Sequence, residues 1–427
     1  MPASVVHGSL PTGAAQQIDA TSDGKLEVDA SFSGVSVDAF GRLRASNPLT
    51  LFDSSHRYAD NGRWVTSTAN SGAATFSANE GLMNLAVTAD SGSKVYRETK
   101  RCFSYQPGKS LLVLSTFVMN PAKAGLRQRI GYYGSANGVY LELDNETLSF
   151  VERSSVTGSV VEVRIAQADW NGDKLDGTGE SGLTLDIAKA QIVWADIEWL
   201  GLGTVRLGFV INGIFILCHS FHHANFVTST YITTASLPLR YEIENTAATD
   251  SASTLKQVCS TVISEGGYEL NGLQLAASIP VQLPRTLGTA GTFYPVVSLR
   301  LKAARLDAVV ILSALSVMAV STGNFNWQIR VAGVTTGGTW ISAGADSAIE
   351  YNISGSSYAG GTSATSGFIS STNQAGASVD IFKDNLFRFQ LERNSFTSTP
   401  YELTLLVASD GADDQVVASV DFEEISR

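Results

Sequence analysis

Composition, periodicity and one turn together predict an all-β protein: two antiparallel β-sandwiches behind an extended N-terminal arm. Charged residues make up only 16% of the 427, against roughly a quarter in ordinary globular domains. Gly, Ser, Thr and Ala fill the difference, which suits short strands and turns better than amphipathic helices. Apolar and polar residues alternate with period two through long stretches, as in half-buried strands. Asn212-Gly213 stands between two alternating apolar runs, the strongest short-range hairpin signal, because both central residues of a type I′ turn need positive φ.

Residues 1–47 read as the arm. Gly8, Pro11, Gly13, Gly24 and Gly34 punctuate short alternations such as Leu26, Val28 and Ala30. So few large apolar side chains cannot offset the entropy of ordering this segment alone. It is therefore expected to be extended and ordered by contact with another chain.

Residues 48–265 read as the first sandwich. The run from Leu111 to Met119 is apolar on both faces and belongs at the centre of a sheet, and 138–151 reads as strand, turn and strand. Residues 160–165 alternate again. Val193, Ala195, Ile197 and Trp199 alternate with Ile192, Trp194, Asp196 and Glu198, giving one apolar and one mixed face. The hairpin of 204–211 and 214–221 follows. Pairing Ile211 with Ile214 sets Phe209 against Ile216 and Leu207 against Cys218 on the core face, and Arg206 against His219 on the other.

Between 266 and 295, Gly266, Gly267, Gly272, Pro280, Pro284, Gly288, Gly291 and Pro295 mark a connector. Residues 296–427 read as the second sandwich, with strands at 296–301, 325–331, 349–353, 386–391, 401–407 and 416–422. Within 303–320 a strand buried on both faces is preferred to a helix, since its neighbours are β. Residues 354–377, dense in Gly, Ser and Thr, read as surface loops.

The length suits roughly two or three domains, each able to bury its own core. A net charge of −11 argues against nucleic-acid or anionic-membrane partners, which need clustered Lys and Arg. The densest basic stretches, 94–101 and 127–129, are interrupted by apolar or acidic residues and read as a solvated sheet face. Cys102, Cys218 and Cys259 are too few and scattered for a disulfide framework, so assembly in a reducing cytoplasm is expected. The N-terminus lacks the basic region and apolar run of a signal peptide and no window approaches a membrane span, so the chain is expected to be soluble and not conventionally secreted.

Two stretches carry a family resemblance. Asp38-Ala39-Phe40-Gly41-Arg42-Leu43-Arg44 with Leu51-Phe52-Asp53-Ser54 resembles the opening of a family of virion structural proteins of tailed bacteriophages, common among marine and cyanobacterial phages. Leu175-Asp176-Gly177-Thr178-Gly179, Trp199-Leu200-Gly201, His219, His223-Ala224-Asn225 and Leu237-Pro238-Leu239-Arg240-Tyr241-Glu242 look like the same family. The matching motifs span about residues 37–245 and imply a particle component. The order of a Trp-bearing strand and an Asn-Gly hairpin is also similar to the concanavalin-like jelly roll of lectins and laminin-type modules.

Three constellations invite chemistry. Asp169, Asp173 and Asp176 lie in one tight loop, as calcium ligands do. Lys174 occupies the position where an EF-hand needs glycine, so a polar loop with Asx turns is expected instead. Cys218, His219, His222 and His223 suggest zinc, but no second ligand pair exists and His222 would point away from the other two. Asp196 and Glu198 share a strand face, an arrangement open to the paired carboxylates of a glycoside hydrolase, whose spacing is set in space, and common on solvated strands. Trp64, Tyr132, Tyr133, Trp194, Trp327 and Trp340 are suited to stacking on sugars and are better accounted for by core packing.

No nucleophile elbow or phosphate loop is present. The expectation is therefore a non-enzymatic virion protein with no catalytic, cofactor or metal residues. It would be an appendage or decoration of head or tail, assembled in the host cytoplasm. Its partners would be itself, as a homotrimer, and other virion proteins. A host-surface glycan is the alternative partner, making the chain a carbohydrate-binding adhesin; a glycan-degrading tail enzyme is the weaker alternative.

Overall fold

The computed structural model describes residues 7–9, 15–17, 47–267, 272–372, 378–379 and 390–426. The chain divides into two units, Met1–Ser46 and Asn47–Arg427. In the first, His7–Ser9 pairs antiparallel with Ala15–Gln17. The rest of the expected arm up to residue 46 lies outside the described residues.

The second unit holds two sandwiches with jelly-roll-like antiparallel sheets. One sheet of the first sandwich has seven strands, in the order Val161–Ala166, Thr147–Ser154, Gly138–Asp144, Leu126–Tyr133, Leu239–Asn245, Lys94–Thr99 and Trp64–Ala69. The facing sheet has eight: Ile214–Phe221, Val205–Ile211, Gln191–Ile197, Ser110–Val118, Ser253–Glu265, Leu82–Val87, Ala73–Ser77, and Leu49–Ser55 on the far half of Ser253–Glu265. Alternate residues of both sheets meet between them, among them Leu85, Val113, Phe117, Ile130, Leu141, Phe150, Phe209 and Val262. Ser110–Val118 lies between two strands of its sheet, as its apolar run requires.

The Asn212-Gly213 turn is present, with φ of 54° and 79°. Ile211 pairs with Ile214 and Phe209 with Ile216 as expected. Beyond Gly208 the register slips: Leu207 faces His219, not Cys218, and Arg206 faces Ser220, not His219. Cys218 is the extra residue of a bulge. The preceding loop accounts for it, since the Gly172 N–H donates to the Cys218 carbonyl at 2.8 Å and the Asp173 N–H to that of Leu217 at 2.9 Å. Only glycine permits this approach, because a Cβ on residue 172 would lie 2.5 Å from the Leu217 oxygen.

In the second sandwich, Leu273–Ser278, Asp414–Ser426, Val309–Ala319 and Ser378–Val379 form one sheet. Arg285–Leu287 adds to Asp414–Ser426, and Gln390–Leu391 to Val309–Ala319. The other sheet runs Ile341–Ser342, Ile349–Asn352, Tyr294–Leu301, Glu402–Ser409, Asn324–Thr336, Ser357–Ser370. The stretch 266–295, expected as a connector, thus supplies two strands to this sandwich. Ser357–Ser370, expected as loops, is a 14-residue edge strand held by its backbone to Asn324–Thr336. The preferred strand in 303–320 is present as Val309–Ala319, behind the 3-10 turn Ala303–Arg305. Of the strand expected at 386–391, residues 386–389 lie outside the described residues.

The sandwiches touch through the 392–396 segment. Arg101 pairs with Glu392, the Ser395 hydroxyl donates to the Thr99 carbonyl at 2.5 Å, and Phe396 stacks on Tyr96 at 5.6 Å. No helix among the described residues is long and apolar enough to cross a membrane.

Candidate functional site

The outer face of the seven-stranded sheet carries the residues read as a solvated basic face. Register sets Arg129 between Glu142 and Glu242, and Arg240 beside Glu98. Arg129 bonds Glu142 at 2.6 Å, Lys94 bonds Glu242 at 2.9 Å and Glu244 at 2.6 Å, and Arg153 reaches Glu162 at 2.6 Å. Arginines also lie over aromatic rings, Arg240 4.0 Å from the Tyr96 centroid and Arg153 5.1 Å from that of Tyr140. The face is therefore not freely solvated: Arg129, Glu142, Glu242, Tyr133 and Tyr140 are all buried. Burial alone would raise the Glu242 carboxyl, but Arg240 and Lys94 outweigh it and hold it at about 2. Glu162 is likewise held at about 2, burial being outweighed by the Tyr140 hydroxyl and Arg153. At Glu98 burial wins and the carboxyl is raised.

The three histidines do not converge. His219 is buried, its Nδ1 accepting the Asn171 N–H at 3.3 Å, while the Asn171 side chain grips both backbone groups of Ser220 at 2.8 Å. Burial, then nearby His222, pushes its imidazole down to about 4. His222 is exposed beside the Thr204 hydroxyl. His223 lies flat on Tyr231, centroids 3.9 Å apart, with Nδ1 on the Gly203 carbonyl and Nε2 2.7 Å from Glu152. Both nitrogens face acceptors, so the ring donates twice as an imidazolium. Burial opposes this, and the bonds to Glu152 and Gly203 raise its pKa nonetheless.

The acidic residues are occupied in the same way. Asp173 accepts the N–H groups of Leu175 at 2.9 Å and Ser181 at 2.7 Å, and Asp176 that of Thr178 at 2.9 Å. The bonds from Leu175 and Thr178 close the expected Asx turns, and that from Ser181 ties the loop across eight positions. Asp196 is buried against Arg206, whereas Glu198 is exposed. Burial pushes the Cys102 and Cys218 thiols up to about 12, far from thiolate chemistry.

Periodicity did not reveal a cleft of about 570 Å³ between the sandwiches. The first sandwich supplies Ser104, Tyr105, Trp199 and 233–236; the second supplies 304–309. Trp199, assigned to the core by alternation, is only half-buried here. Its indole N–H donates to the Ile232 carbonyl at 3.4 Å and its ring meets Tyr105 edge-on at 6.1 Å. Arg393 ties the walls together, bonding Asp307 at 3.1 Å and the Ser236 carbonyl at 3.4 Å. The Ser104 and Ser236 hydroxyls lie 2.9 Å apart. The volume falls within the roughly 300–1,000 Å³ of small-molecule sites, and aromatic, hydroxyl and charged groups line it together. More than 100 positions separate Trp199 from Arg305, so no local pattern joins them.

No family model matches the chain, and no curated protein matches it in sequence. Solved structures with a similar fold include the Bacillus licheniformis β-glucanase, 13% identical over 49% of this chain and 96% of that one, TM-score 0.33. The carbohydrate recognition domain of Emp47p is 12% identical over 54% of this chain and 100% of its own, TM-score 0.34. Peanut lectin is 12% identical over 52% and 100%, TM-score 0.31. These neighbours are jelly-roll lectin and glucanase folds, and they match about half of this chain.

Proposed function

We propose that the chain is a non-enzymatic structural protein of a tailed-phage particle, an exposed appendage or decoration attached through its N-terminal stretch and assembled as a homotrimer. One observation carries the non-enzymatic part: the side chains best suited to chemistry are committed to structural partners. Asp196 is held by Arg206, Glu152 by His223, Glu142 by Arg129 and Arg164, and Asp173 and Asp176 by backbone N–H groups. A general acid or nucleophile must be able to reach a substrate; Asp196, Glu142 and Glu152 are buried, and the exposed Asp176 spends its carboxylate on the Thr178 N–H and hydroxyl. The resemblance of residues 38–44 and 51–54 to tailed-phage virion proteins supports the particle assignment.

Deleting residues 1–36 tests this reading. Both sandwiches keep their β-type circular dichroism, and the shortened protein fails to enter particles. Loss of the β signal would show that the N-terminal stretch belongs to a core; unchanged incorporation would contradict the attachment role.

The second reading is a glycan-binding adhesin, favoured by the cleft at Trp199. Reducing-sugar release from a host polysaccharide would contradict both readings and favour a glycan-degrading enzyme.

A further inference from the structure

We infer that the cleft between the sandwiches takes an anionic saccharide, a sugar ring on Trp199 with its carboxylate on Arg305. The inference rests on the glycan-binding reading of the cleft and adds the ligand's charge and the residue that reads it. Arg305 is half-buried in the cleft wall, and among the described residues its guanidinium has no ion pair, hydrogen bond or ring partner. The contrast with the seven-stranded sheet is sharp. There Arg127, Arg129, Arg153, Arg164 and Arg240 each have a carboxylate partner. In a chain of net charge −11, carboxylates are plentiful, and a cation left unpaired in a concave site is available to a ligand.

The chemistry around it selects the class. A guanidinium presents a planar fork that meets a carboxylate with two parallel hydrogen bonds. The half-exposed indole of Trp199 offers a flat apolar surface to the C–H face of a pyranose. Asp307 uses one oxygen to accept from Arg393, and its other oxygen can accept from a sugar hydroxyl. Arg393 fixes both that carboxylate and the Ser236 wall before any ligand arrives, so little ordering accompanies binding.

The test is calorimetric titration of the full chain with tetragalacturonate and, as the neutral match, maltotetraose. Tetragalacturonate binds and maltotetraose binds at least tenfold more weakly. Arg305→Ala removes that preference without changing the melting temperature, Arg305→Lys restores part of it, and Trp199→Ala weakens both ligands. Equal binding of the two sugars, unchanged in Arg305→Ala, would overturn the anionic assignment and leave the glycan reading standing. Tetragalacturonate binding that survives both Arg305→Ala and Trp199→Ala would overturn the placement in this cleft. No heat with either sugar would overturn the inference together with the reading beneath it.

Discussion

The two outer faces of the first sandwich solve one problem in opposite ways. On the seven-stranded sheet, Lys94 pairs across strands with Glu242, Arg129 with Glu142 and Arg240 with Glu98, and Arg129, Glu142 and Glu242 are buried with Tyr133 and Tyr140. On the eight-stranded sheet, register lines up Leu114 with Trp194 and Val210 with Phe215, an apolar band that solvent still reaches: Phe215 is 52% exposed and Leu217 40%. Both strand sets alternate in sequence, the first reading as a solvated face and the second as a mixed one. What separates them is which residue stands opposite which: opposite charges at neighbouring register positions make a polar face self-sufficient, whereas apolar neighbours leave theirs open.

Substitutions under and upon these faces should differ by several kcal/mol. Phe209 is fully buried beneath the eight-stranded sheet against Phe150 and Trp170. Phe209→Ala should cost roughly 3–5 kcal/mol as a large-to-small core change. Arg129→Ala leaves Glu142 and Glu242 buried with less compensation and should cost on the order of 3–5 kcal/mol. Urea denaturation measures both, and an Arg129→Ala cost below that of an ordinary surface change would show that the network is ornamental.

Acid should weaken the polar face. Glu242 and Glu162 have folded pKa values near 2, below the ordinary 4.5. Their contribution is therefore complete above about pH 4.5 and is lost as pH falls toward 2. His219, held near 4 against an ordinary 6.5, loses its contribution as pH falls from 6.5 through 4. His223 runs the other way: its pKa is raised, so its contribution is complete below 6.5 and fades as pH rises through the folded value. Melting curves of Glu162→Gln should flatten below pH 4.5 relative to wild type, and those of His219→Asn between 6.5 and 4. Parallel curves in all three proteins would contradict these assignments.

Smaller effects follow at the turn and on the open face. Gly213→Val forces a β-branched residue into the left-handed region and should cost on the order of 1–2 kcal/mol; an unchanged melting temperature would count against the turn. Phe215→Ala should stay within about 0.5 kcal/mol, because its side chain is half in water. A large loss at Phe215 would mean that the apolar band is covered.

What could be read in advance was whatever one strand and its neighbour decide locally. The Asn212-Gly213 hairpin, the Gln191–Ile197 strand and the central Ser110–Val118 strand all followed from alternation and turn chemistry. The bulge at Cys218 did not, because Gly172, forty-six positions away, imposes it. Ser357–Ser370 was missed because a strand with both faces exposed has no apolar period to show and depends on backbone pairing. Leu273–Ser278 was missed because its partner is the last strand of the chain. At the site, local reading identified the Asx turns of Asp173 and Asp176 but not the cleft, whose walls meet only once both sandwiches are folded.

The most direct test of the structural-protein account is quantitative mass spectrometry of density-purified phage particles. The account predicts this chain in fixed stoichiometry to the known particle proteins, retained after high-salt washing. Finding it in the infected-cell lysate but not in the washed particles would contradict it.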